Sequence, residues 1–287
     1  MRKMYFNIAK WMLFALLAMA WILFSTAAKA QLIGEMEDES KLYAQSKQVN
    51  QFFRRFNGEE DEKGNRYYAG DKQYRSQKLR KKYLSILFVE SNQGLSHSIK
   101  KEFAENVLDK PETSILDFHG GNWFAEVNVL FQMNGINQSA TLFMELEKNH
   151  LGYKWVIQRA HLNLLDKYFE RDTSKVGRFL HPMSHELDFM NLRKAFADSD
   201  SISQFTVRDF RPNHLSVLLY ELKRGNLKFK SVETVKFHFF QINGWYFELS
   251  DFNRSGYNTG WLISNLVKLK GDSEKDLLKS YLYNEPK

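Results

Sequence analysis

Residues 123–147 read WFAEVNVLFQM-NG-INQSATLFMELE, from Trp123 to Glu147. Asn134-Gly135 suits the two central positions of a tight hairpin turn, because both must take a positive φ. On either side, Trp123–Met133 and Ala140–Glu147 alternate apolar and polar residues, the signature of a half-buried strand. Working outward, a turn at Asn149–Gly152 leads into a further strand, Tyr153–Leu164. Upstream, Ser114–His119 reads as a short strand closed by Gly120-Gly121-Asn122. The whole is an antiparallel meander.

Before the meander the period is helical. Val49, Phe52, Phe53 and Phe56 recur three or four apart and form one apolar face, ended by Asn57-Gly58. Glu59–Gly70 is an acidic, glycine-bearing loop. A second helix is expected over Asp71–Val89 and a third over Ser98–Leu108, closed by Pro111.

After the meander the plan repeats. Asp166–Gly177 is charged and reads as a connection. Ser184 caps a helix carrying Glu186 and Asp188 in its first turn and running to Phe196. Phe205–Phe210 and Leu215–Leu222 read as strands, and Arg224-Gly225-Asn226 as a turn. Strands at Phe229–Gln241, Trp245–Phe252 and Trp261–Leu269 follow, with Asn243-Gly244 between the first two. The expected class is α+β, two consecutive helix-then-antiparallel-sheet units at 41–170 and 171–287. Trp155 and Trp245, each after a glycine-bearing turn, are the corresponding positions of a possible internal repeat.

The Asn243-Gly244-Trp245 turn and strand resemble the last hairpin of the NTF2-like (cystatin-like) α+β superfamily, in which helices fill the concave side of a curved sheet. Val49–Gly58 and Ser184–Phe196 are similar to segments of uncharacterised secreted proteins of Bacteroides-type bacteria. The resemblance implies two consecutive cones over most of residues 42–270, the second short of the family's usual three helices. It fits isomerases, dehydratases, transport factors and secretion scaffolds alike, so it carries fold further than activity.

The N-terminus has the three parts of an export signal. Arg2, Lys3 and Lys10 precede an apolar run, Trp11–Phe24, and Ala28-Lys29-Ala30 is a small-x-small cleavage site. Residues 1–30 are therefore expected to be a signal peptide, followed by a flexible lead at 31–40. The alternative is a retained anchor, since Trp11–Ala28 is uncharged over 18 residues. The chain has no cysteine, which excludes disulfides, thiolate metal ligands and lipidation at an N-terminal cysteine. The expected location is periplasmic or extracellular, with no membrane span after cleavage.

Net charge is +7, and the leader supplies four of the basic residues, leaving 37 basic against 34 acidic. So small a surplus gives no reason to expect nucleic acid as a partner. Aromatic residues make up 15% of the chain, enough for a substantial core. No phosphate-binding loop, dinucleotide fingerprint, nucleophile elbow or calcium loop occurs, so no cofactor is expected.

Four groups carry candidate chemistry. Asp117 and His119 share one face of a regular strand and are the best acid–base pair for a small-molecule enzyme. Trp123, Trp155, Trp245, Tyr246 and Trp261 put aromatic rings on sheet surfaces, where they suit a ligand or protein partner. Arg75, Lys78, Arg80, Lys81 and Lys82 form a basic cluster able to hold an anion or lie as a solvated helix face. His181 and His185 are four apart, yet Pro182 and the capping Ser184 set His181 outside the helix, so no metal site is expected there. His161 and His238 lie within strands. The preferred function is a non-enzymatic exported binding or scaffold protein for an unidentified protein or envelope component. The alternatives are a small-molecule enzyme in an NTF2-like pocket and a membrane-anchored subunit of an envelope complex.

Overall fold

A computed structural model describes residues 48–90, 94–110, 114–150, 152–166, 196–197, 205–207, 213–255 and 258–283. The helices are α1 (Val49–Asn57), α2 (Gln77–Ile86), α3 (His97–Asp109), α4 (Asn163–Asp166), α5 (His214–Lys223) and α6 (Asp272–Leu282). The strands are β1 (Trp123–Met133), β2 (Ile136–Asn149), β3 (Gly152–His161), β4 (Leu227–Phe239), β5 (Trp245–Phe252) and β6 (Gly260–Lys268). Together the helices and one six-stranded sheet, ordered β3-β2-β1-β4-β5-β6, make an α+β fold. The pairs β1–β2, β2–β3, β4–β5 and β5–β6 are antiparallel.

The chain divides into two compact units, and neither is continuous in sequence. The first holds Met1–Trp123 and Lys236–Asp276; the second holds Phe124–Val235 and Leu277–Lys287.

In the first unit, three helices meet the strands contributed by residues 236–276. The Asn57-Gly58 stop ends α1 as its sequence requires, with Gly58 at φ 71 and its N–H bonded to Arg55. Phe52, Phe53 and Phe56 of α1 are buried. Phe52 lies 6.2 Å from Phe239 and 6.3 Å from Phe247, and those two rings stack at 4.7 Å. Trp123 and Phe103 join the cluster at 4.9 Å from Phe53 and 5.2 Å from Trp245. Residues 87–89 run along β6: Val89 N–H donates to the Ile263 carbonyl at 3.1 Å, and Ile263 N–H to that of Leu87 at 2.8 Å.

Two expectations in this unit change. Ser114–His119 is not a strand. Its backbone is satisfied by side chains instead: Asn57 donates to the Leu116 carbonyl at 2.8 Å and accepts its N–H at 2.9 Å. Gln241 does the same for Asp117, accepting at 2.9 Å and donating at 2.7 Å. The second helix is shorter than Asp71–Val89. It begins at Gln77, where Ser76 Oγ accepts the Leu79 N–H as N-cap, preceded by Arg75 at φ 54.

In the second unit, β1 and β2 form the expected hairpin, with Asn134 at φ 50 and Gly135 at φ 82. That is a type I′ turn, whose twist matches the flanking strands. The β2–β3 register shifts between Phe143 and Met144. Tyr283 packs on Phe124 at 4.6 Å and Phe143 at 5.1 Å, and its hydroxyl donates to Glu145 at 2.9 Å.

Leu215–Leu222, expected as a strand, is helical. It lies within α5, where the Asn213 side chain accepts the Leu215 N–H as N-cap and Leu218 is buried. A continuous apolar run does not distinguish a buried strand from a helix. Here leucine, a better helix former than β-branched residues, and the capping asparagine decide it. The leader at 1–30, the lead at 31–40, most of the 184–196 helix, Pro111, His181 and His185 lie outside the described residues.

Candidate functional site

The aromatic residues singled out in the sequence separate by exposure. Trp123, Trp245 and Tyr246 are buried at 5%, 2% and 1% exposed. Trp261 is partly covered and packs on Phe237 at 4.8 Å. Tyr246 bonds its hydroxyl to His238 Nδ1 at 2.9 Å, and both are buried. Trp155 alone of the five is exposed, at 39%. It lies on β3, the last strand in the sheet order, with exposed Tyr153 and Ile157 at alternate positions of the strand.

The apolar exposure is one-sided in the chain. Among the described residues, every exposed large apolar side chain except Tyr68 belongs to the second unit. They include Tyr153, Trp155, Tyr220, Phe229 and Val232. Scattered single apolar residues are ordinary on any surface, whereas a concentration in one unit marks that unit.

Asp117 and His119 sit in an exposed turn. The Asp117 carboxylate accepts the His119 backbone N–H at 2.9 Å, which is turn geometry and not an imidazole–carboxylate pair. The basic cluster does not gather on one surface. Arg80 is fully buried and donates to the carbonyls of Phe56 and Ser114. Arg75 pairs with Glu59 at 2.7 Å and Lys82 with Glu62. Lys78 is exposed and Lys81 is partly covered.

A different constellation appears where β3 ends. His161 closes β3, Asp166 closes α4, and His214 opens α5. One donor atom from each lies within 4.8 Å of the other two, and all three residues are partly buried. The imidazoles stack at 5.2 Å with planes 10° apart. His214 Nε2 is 3.5 Å from Asp166 Oδ1. Its Nδ1 accepts the Leu162 N–H at 3.3 Å, which places the ring proton on Nε2, facing the carboxylate. Burial first, then the neighbouring His161, lower the His214 pKa below the usual histidine value, against the opposing pull of Asp166.

The sequence marked His161 only as a strand histidine. Asp166 fell in the charged connection and His214 at the edge of a misread strand, so nothing local joined the three.

No family model, no curated protein and no solved structure matches this chain.

Proposed function

We propose that the chain is an exported, non-enzymatic binding or scaffold protein, and that its second unit holds a partner polypeptide along β3. The concentration of exposed apolar side chains in that unit carries the reading. A sheet edge offers a partner backbone hydrogen bonds, and alternate side chains give selectivity. Tyr153, Trp155 and Ile157 provide such an alternate row. In the first unit, the chain's own residues 87–89 use the same mode on β6. Aromatic residues are favoured anchors at interfaces because they bury large area with few rotatable bonds.

Export by the 1–30 leader and NTF2-like kinship belong to the same proposal. The three helices and the antiparallel strands of the first unit support that kinship. Among the described residues, no helix is long and apolar enough to cross a membrane. N-terminal sequencing of the protein recovered outside the cytoplasm is expected to start near Gln31; a start at Met1 would favour the anchored alternative.

The binding role is tested by placing a photo-reactive amino acid at position 155 in the cells that make the protein. The expected result is one adduct of defined mass, which mass spectrometry identifies as a second copy or another polypeptide. The same probe at Tyr68, in the first unit, is expected to give none. Equal yields at both positions, or no adduct at 155, would count against the proposal.

A further inference from the structure

We propose that His161, Asp166 and His214 bind one divalent transition-metal ion of the zinc type. The three side chains come from three elements of the second unit and converge to within 4.8 Å. Two imidazoles and a carboxylate suit zinc and similar borderline ions, and suit calcium or magnesium poorly, since those prefer all-oxygen shells. Zinc holds such ligands at about 2.0–2.2 Å, so donors around a tetrahedral ion stand about 3.4 Å apart. His214 Nε2 and Asp166 Oδ1 are already 3.5 Å apart. The remaining donors, now within 4.8 Å, have to draw together to that spacing, and three protein ligands would leave a fourth position for water.

Two imidazoles stacked face to face repel each other when protonated, and one carboxylate neutralises only one of them. A metal ion needs a free lone pair on each ring. Binding through Nε2 shifts the His214 ring proton to Nδ1 with no net proton lost from that ring. The 3.3 Å contact from Leu162 N–H then has to open. One long hydrogen bond is a smaller term than three metal–ligand bonds.

The test uses the full chain stripped with a chelator. Zn²⁺ is titrated by calorimetry, and Co²⁺ is followed by its visible absorption. The expected result is one ion per chain and the intense bands of four-coordinate cobalt. His161→Gln and Asp166→Asn should each weaken zinc binding about tenfold or more, because outer-sphere partners alone change affinity by that much. His150→Gln and His185→Gln should leave it unchanged. Circular dichroism establishes that each variant is folded. His214→Gln is a third variant, but it alters the first residue of a helix, so the other two decide the matter if it fails to fold. Sub-stoichiometric binding, or wild-type affinity in His161→Gln and Asp166→Asn, would overturn the site. Loss of binding in His185→Gln with retention in His161→Gln would overturn it as well.

Discussion

Arg80 is a charged residue with no exposed surface, one turn into α2. Burial first, and Arg75 second, lower its pKa to about 10, so it is still charged at neutral pH. It donates to the backbone carbonyls of Phe56 and Ser114, among other partners, and so ties together positions 58 residues apart in sequence. Arg80→Met removes both bonds from a buried site and is expected to cost about 1–3 kcal/mol in denaturant unfolding. Lysine should restore little, because it lacks the planar fork. Gly58 is coupled to the same side chain. A Cβ there would stand 2.8 Å from Arg80 Cγ, at a φ of 71 that disfavours alanine in any case. Gly58→Ala is expected to cost about 1–2 kcal/mol from the backbone alone. Part of any excess should vanish in the Arg80→Ala background, and a double-mutant cycle measures that coupling. Asp61 gives a pH signature. Bonds from Asn65 first, together with the backbone N–H groups of Lys63 and Asn65, hold its carboxyl below the ordinary value. Its contribution is therefore present above the unfolded-state pKa and is lost as pH falls through the lower folded-state value. Stability measured against pH in the acid range should fall less steeply in Asp61→Ala than in the wild type.

At the scale of elements, signals were legible where the controlling chemistry was local. Asn134-Gly135 specified its turn because both residues tolerate positive φ, and Gly58 alone stopped α1 by taking φ 71 after the helical Asn57. Gly135→Ala should cost about 1 kcal/mol and slacken the β1–β2 hairpin, read by hydrogen exchange at the amides of Gln132 and Ile136. Where tertiary partners decided, the reading failed. Ser114–His119 alternates like a strand, yet Asn57 and Gln241 take over its backbone bonds from distant positions. Leu215–Leu222 had the apolar run of a strand and the cap of a helix, and the cap proved the better guide. Asn213→Ala is expected to cost about 1 kcal/mol by removing that cap. The His161–Asp166–His214 cluster was not legible at all, because its members come from three elements that only the folded chain brings together.

For the whole molecule, the aromatic residues fall into two different surroundings. Trp123, Trp245, Phe239 and Phe247 fill the first unit, while Tyr153, Trp155 and Phe229 stand exposed in the second. Composition could not separate the two surroundings, since a tryptophan on an alternating strand reads alike on either face. Substitutions should separate them. Trp245→Ala removes a ring that is 2% exposed and is expected to cost about 3–5 kcal/mol of stability. Trp155→Lys should cost clearly less than Trp245→Ala in thermal unfolding, since 39% of the Trp155 surface is already in water.

The claim that the second unit is the binding face is tested most directly by carbene footprinting of the chain, first purified and then inside the cells that make it. Strong labelling of Trp155, Tyr153 and Phe229 in the purified protein should drop in cells, while Tyr68 labels equally in both. Unchanged labelling of the β3 residues in cells, or a drop at Tyr68 instead, would contradict the account.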